Sequence, residues 1–237
     1  MNLQSYIEIY GGGPGSGCNP DAGHCGRPPG SGEGQIRDEE MASLVTALNA
    51  NHFTSFDMKQ GALEELKQHT DKALFWKLAS AVRMFTENGT KKIRQETLDC
   101  LQQRDCKEDG KTILTALQNA PEIEYTLYRG MVVDDETYEA FRMMPVGHEM
   151  DVPLSSSSSE RHIAEAFVSQ PMFPLQRKGT IMFEIENAKG VSARLLSSFP
   201  TEKEVIIGGR FTVTYTRQTG KNLRIKLTQT GVFNAKG

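Results

Sequence analysis

The chain has 237 residues, enough for one sizeable domain with or without a tail. Its net charge of −3 and pI near 6.0 give no global electrostatic case for a nucleic-acid partner. No apolar run approaches the ~20 residues of a membrane span, so no membrane partner is expected. Met1–Glu8 has neither the basic nor the apolar part of an export signal, so no signal peptide and a cytoplasmic site of synthesis are expected.

Residues 11–34 (GGGPGSGCNPDAGHCGRPPGSGEG) hold ten of the 22 glycines and four of the 10 prolines, with almost nothing to pack a core. Such a composition does not offset its own ordering entropy, so residues 1–37 read as a flexible tail or linker. No strand leads into these glycines, which removes a dinucleotide fingerprint. The four cysteines are too few for a disulfide scaffold. Neither Cys18-x6-Cys25 nor Cys100-x5-Cys106 has zinc-knuckle spacing, although His24 beside Cys25 leaves a metal site conceivable. Inert thiols and no metal are expected.

From about residue 38 to 120 the apolar period is helical. Met41, Leu44, Val45 and Leu48 fall on one helix face, and Phe75, Leu78, Ala79 and Val82 on another. Asp57 reads as an N-cap and Asn88-Gly89 as a stop before a helix over 91–103. Asp109-Gly110 reads as a break before a short helix with Ile113, Leu114 and Leu117. Trp76, the single tryptophan, is expected in the core. Gly110-Lys111-Thr112 is not a phosphate loop, because Asp105 stands where its first glycine belongs.

From 121 to 237 the period turns to two. Candidate strands are Glu122–Arg129, Asp151–Ser157, Gly179–Ile185, Val191–Leu196, Lys203–Ile207, Phe211–Arg217 and Leu223–Thr228, interrupted by one helix over 159–169. Helices first and then strands predict an α+β domain over 38–237.

Three segments carry chemistry. Tyr125–Gly130 ends in an arginine and a glycine, a charged fork beside approachable backbone, suited to a pyrophosphate and an amide-bearing ring. Pro153–Glu160 holds five successive serines between a strand and a helix start, where one hydroxyl can orient a carboxylate and another cap the helix. Ser198–Ile207 runs from a proline loop into a strand with Glu202 and Glu204 on one face, roughly 6–7 Å apart. Paired carboxylates of this kind suit a developing oxocarbenium-like centre. Each segment has an ordinary reading too: a surface arginine, a polar loop, a solvent-facing strand.

In this order, the three segments resemble the arginine-serine-glutamate class of mono-ADP-ribosyltransferases, over roughly residues 38–230. Gly179–Ile185 and Gly190-Val191 match the cadence of that family between the second and third segments. The resemblance implies two packed, mostly antiparallel β-sheets around an NAD cleft, preceded by a helical subdomain, with NAD as co-substrate and no metal. It implies that Arg129 holds the NAD phosphates and that Gly130 backbone meets the nicotinamide carboxamide. Ser155 aligns with the serine that orients the catalytic glutamate, and Ser157 with a structural one. Glu204 corresponds to the catalytic glutamate, Glu202 to the one that engages an arginine substrate, and Phe199 to a target-recognition aromatic. The central threonine of the family is Ser156 here, and five successive serines let the register slide by one or two residues.

The chemistry agrees. A fixed carboxylate at Glu204 stabilises positive charge on a ribose only as it develops, while Glu202 positions and helps deprotonate an attacking guanidinium. The expected function is arginine-directed mono-ADP-ribosylation of a host protein, with nucleic acid left open as an acceptor. An NAD glycohydrolase on the same site and a non-catalytic virion module are the rivals. The glycine- and proline-rich segment also resembles spacers of phage head-associated proteins, implying a phage origin and delivery into a host cytoplasm.

Overall fold

Among the described residues, apolar residues at helical spacing build five helices before the first strand: α1 (Asp38–Ala50), α2 (Lys59–His69), α3 (Lys72–Thr86), α4 (Thr90–Leu101) and α5 (Glu108–Gln118). The computed structural model describes residues 38–87, 90–102, 104–169 and 179–233. The proposed tail over 1–37, with Cys18, His24 and Cys25, and the expected helix stop at Asn88-Gly89 lie outside the described residues.

The predicted stripes are buried in α1 and α3. Asp71 caps α3, its carboxylate accepting from Leu74 N at 2.8 Å. Asp57 caps nothing, because α2 begins after Met58 without a side-chain cap. Trp76 is not core: it is 54% exposed, edge-on to Phe75 and under the Lys67 ammonium. Phe75 already occupies the buried stripe, and a step of one residue turns the next side chain about 100° away. Gly110 does not break the chain but lies inside α5, where an added Cβ would stand 2.6 Å from Glu96 backbone; it lets α5 cross α4 closely. Cys100 and Cys106 are not loose thiols but a disulfide, with Cα atoms 4.2 Å apart where the chain doubles back after α4.

Six strands follow among the described residues: β1 (Leu127–Val133), β2 (Glu149–Ser158), β3 (Gly179–Glu186), β4 (Gly190–Ser192), β5 (Glu204–Thr219) and β6 (Asn222–Gly231). Two further helices interrupt them, α6 (Asp135–Arg142), which sequence periodicity missed, and α7 (Arg161–Ser169). The sheet runs β2-β1-β3-β6-β5-β4, with β2 also paired to β5. All pairs are antiparallel except β3 with β6.

Two leaves therefore share β5, which the sequence had divided at Ile207 and Phe211. Its first half pairs with β2 and β4 and its second with β6. Register shifts near Arg210 and Gly209 at φ 138° let it bend while staying hydrogen-bonded. One core, with Phe183, Ile185, Val205, Ile207, Phe211 and Ile225, fills the space between the leaves. A second joins the helices to the outer side of the β2–β5–β4 leaf through Leu154, Val191 and Ile206. The architecture is α+β with a helical N-terminal part and a sheet core.

Candidate active site

β1 pairs with β3 along its whole length but with β2 only at Tyr128–Ser158. Beyond that pair β1 and β2 part, and Arg129 stands at the fork. Its Nη1 donates to the Ser156 carbonyl at 2.5 Å, tying the guanidinium to the serine strand. Gly130 follows because α7 lies directly on β1: an added Cβ would come 2.1 Å from the Ala164 carbonyl oxygen.

The serine run is strand to its end. Ser155 pairs with Ile207, Ser156 with Ile206, Ser157 with Val205 and Ser158 with Glu204. Residues directly opposite share a face, so Ser156, Ser158, Ile206 and Glu204 lie on one side and Ser155 and Ser157 on the other. Ser155 is buried and its hydroxyl donates to Pro153 O at 2.8 Å. Ser157 Oγ is buried without a partner among the described residues. Ser156 is only half-buried, and its hydroxyl acts to lower the Glu204 carboxyl. In the β2–β5 register Ser156, and not Ser155, shares a face with Glu204, within the slide that the repeated serines allow. Ser158 joins the segments: its hydroxyl donates to Glu202 O at 2.6 Å and accepts from Glu160 N at 3.0 Å, at the entry to α7.

Glu202 and Glu204 do not share a strand. Pro200–Glu202 is a single 3-10 turn, Lys203 is left-handed at φ 44°, and β5 begins at Glu204. The proline-led turn places the two carboxylates near one another instead of strand alternation. Phe199 precedes the turn, 49% exposed.

Burial pushes the Glu204 carboxyl up to about 7; the Ser156 hydroxyl and the Arg129 charge pull it down, and the Glu202 charge pushes it further up. These influences come from three groups, Ser156, Arg129 and Glu202, gathered around one carboxylate. Burial also raises Glu202 above the usual carboxylate range. A buried acid that titrates near neutrality beside a guanidinium, a hydroxyl and a second acid has the features of a functional site.

The sequence reading missed His52. It is fully buried at the turn after α1, with Nδ1 2.8 Å from Ser192 Oγ and Nε2 2.9 Å from Ser159 Oγ. No local pattern marks it, because its partners are 140 and 107 residues away. Among the described residues no group of three His, Cys, Asp or Glu could hold a metal ion, and no helix is long and apolar enough to cross a membrane. An open groove of about 430 Å³ between α7, β3 and the ends of β5 and β6 contains none of the site residues. Its Arg161 and Arg224 are already matched by Glu165 and Glu184.

No protein-family model matches the chain, and no curated protein matches it in sequence. Its fold is similar to that of several solved structures. Exoenzyme S from Pseudomonas aeruginosa, in complex with human 14-3-3 protein beta and bound to carba-NAD, is 14% identical with a TM-score of 0.51, over 84% of this chain and 92% of that one. The ADP-ribosyltransferase Vis of Vibrio splendidus, in complex with the M6 inhibitor, is 20% identical with a TM-score of 0.50, over 84% and 85% of the two chains. The ADP-ribosyltransferase HopU1 of Pseudomonas syringae pv. Tomato DC3000 is 13% identical with a TM-score of 0.50, over 81% and 96%. At these identities the likeness is one of fold: the chain has the fold of ADP-ribosyltransferases.

Proposed function

We propose that this protein is an NAD-dependent mono-ADP-ribosyltransferase that transfers ADP-ribose to arginine side chains of a host protein. The observation that carries the reading is the meeting of Arg129, Ser156, Glu202 and Glu204, drawn from three separate segments, around one buried carboxylate. The fold supports it, and so does the carba-NAD bound by exoenzyme S, a protein of similar fold.

The donor set suits NAD. Arg129 offers a planar cation to the pyrophosphate, with its position set through Ser156 O. Glu204, ionised and held by the Ser156 hydroxyl, accepts from a ribose 2′-hydroxyl and opposes the positive charge that develops at C1′. In the reaction the bond from C1′ to the nicotinamide nitrogen breaks, nicotinamide leaves neutral with the electron pair, and a guanidine nitrogen bonds to C1′. Glu202 takes the proton that the guanidinium loses; a carboxyl raised by burial is a better base than a solvated one. Phe199, exposed beside this turn, is on this reading the residue that contacts the target protein. The Cys100–Cys106 disulfide persists in oxidising surroundings and would open in a reducing host cytoplasm.

Incubation with NAD labelled in its adenylate part tests the reading. Label on protein arginine, with nicotinamide released one for one, is the expected result. Free ADP-ribose without labelled protein would instead make the chain an NAD glycohydrolase. Neither NAD binding nor consumption would leave a non-catalytic module. Glu202→Gln is expected to remove arginine labelling while sparing much of the NAD hydrolysis.

A further inference from the structure

His52 sits behind the active site, on the side of the β2–β5–β4 leaf away from Glu204. Ser192 pairs with Val205, on the face opposite to that of Glu204, and Ser159 lies one residue past the end of β2. Both ring nitrogens are engaged at hydrogen-bond distance, Nδ1 with Ser192 of β4 and Nε2 with Ser159 at the end of the serine run. The ring stacks on Tyr125 at 5.2 Å and meets Phe53 edge-on at 4.8 Å. A ring bonded at both ends and packed by two aromatics holds one orientation.

From Ser159 the contacts run directly to the turn that carries Glu202. Ser159 N donates to Lys203 O at 3.3 Å, and the neighbouring Ser158 hydroxyl donates to Glu202 O at 2.6 Å. The Lys203 ammonium pairs with Glu160 and lies 5.7 Å from the centre of the Phe53 ring. Lys203 is the left-handed residue between the two glutamates, a backbone state that a lysine adopts only where its surroundings enforce it. Glu204 is held differently, by pairing with Ser158 in the β2–β5 ladder and by the Ser156 hydroxyl.

We propose that His52 is a positioning residue for the acceptor half of the reaction: through Ser159 and Lys203 it sets where Glu202 stands relative to Glu204. The inference rests on the reading of Glu202 as the group that engages the acceptor guanidinium. His52 touches neither substrate. Loss of its bonds loosens the Lys203 turn and leaves the ladder that places Glu204 intact. Its effect therefore falls on transfer and not on cleavage of NAD.

The test compares His52→Gln, which keeps a polar side chain of similar reach, His52→Ala and Ser159→Ala, which removes the linking hydroxyl without opening a large cavity. Each full-length variant is assayed for NAD hydrolysis without acceptor and for transfer to agmatine, a small guanidine, with thermal unfolding as the check on folding. Hydrolysis is expected to stay within about twofold of wild type, whereas transfer falls about tenfold or more in His52→Ala and several-fold in Ser159→Ala, in kcat rather than in the KM for NAD. Recovery of part of the transfer in His52→Gln supports a hydrogen-bonding role. An active wild type whose His52→Gln and Ser159→Ala variants lose both activities in parallel, or lose neither, overturns this inference alone. A wild type that neither hydrolyses NAD nor labels agmatine brings down the reading of the site, and the inference with it.

Discussion

Ser156 and Glu204 lie on one face of the β2–β5 pair, two positions out of register: Ser156 stands opposite Ile206, and Glu204 opposite Ser158. Such a diagonal pair on one face is within reach of a glutamate side chain. On the proposed reading, Ser156 is the hydroxyl that fixes the carboxylate. Ser156→Ala is expected to lower the kcat for NAD cleavage by about 10- to 100-fold, because the carboxylate loses its orientation. Ser155→Ala, which removes a bond to Pro153 O on the opposite face, is expected to cost less than about threefold. Steady-state NAD hydrolysis by the two variants checks the assignment, and the reverse order would restore Ser155.

On the proposed mechanism the ionised Glu204 is the active form, and its carboxyl is raised to about 7. At pH 6 about a tenth of the free protein is ionised there and at pH 8 about nine-tenths, so kcat/KM for NAD is expected to rise about tenfold between them. A profile flat across that interval would show that Glu204 is not the group that must be charged.

Because folding raises this carboxyl, the native state favours its proton. The stability that Glu204 contributes is complete below its unfolded value of 4.5 and is lost as pH rises through about 7. The same burial that prepares the site therefore destabilises the fold above neutrality. Glu204→Gln is expected to abolish NAD cleavage and to raise stability at pH 8 by the order of 2–3 kcal/mol, read from urea denaturation of the two proteins. No gain at pH 8 would contradict the burial of a charged carboxylate.

His52 has the opposite sign. Burial first, then the Lys203 and Arg194 charges, lower it from 6.5 to about 4, against a smaller raising influence from Glu160. Its contribution is complete above pH 6.5 and is lost as pH falls towards 4. Between pH 4.5 and 6.5 the two groups nearly cancel, so their summed contribution is expected to be almost independent of pH there. Glu204→Gln removes one side of that balance. Its stability relative to wild type is expected to grow steadily from pH 4.5 to 7 in equilibrium unfolding at several pH values.

Two glycines separate close packing from open space. At Gly130 an added Cβ would strike the Ala164 carbonyl oxygen of α7, whereas at Gly61 in α2 it would meet nothing within 4 Å. Gly130→Ala is expected to destabilise the fold by about 2–4 kcal/mol and displace α7. Gly61→Ala is expected to stabilise it by about 0.5–1 kcal/mol. Denaturation midpoints of both variants provide the measurement.

The elements that were legible from the chain were those whose burial is periodic. The stripes of α1 and α3 and the alternation of β3 and β6 announce themselves within a few residues. Where a neighbour decides, local pattern failed. Trp76 lies outside the core because Phe75 fills the stripe. β5 passes through Gly208-Gly209 without stopping, because β2 and β6 hold it on both sides of the bend. α6 is short, with only Thr137, Tyr138 and Phe141 buried and Asp134 as its cap, too little to form a stripe.

What the residues alone determined was the inventory and its order: an arginine before a glycine, a run of hydroxyls, and two glutamates after a proline, with strand and helix types around them. Side-chain chemistry and short-range periodicity do not depend on the rest of the fold. Which serine faces the glutamate, how Glu202 comes beside Glu204, and what His52 holds were decided by tertiary structure. Identical serines carry no register of their own. The pairing of β2 with β5 supplies it, and a left-handed Lys203 held by residues from distant segments brings the two acids together.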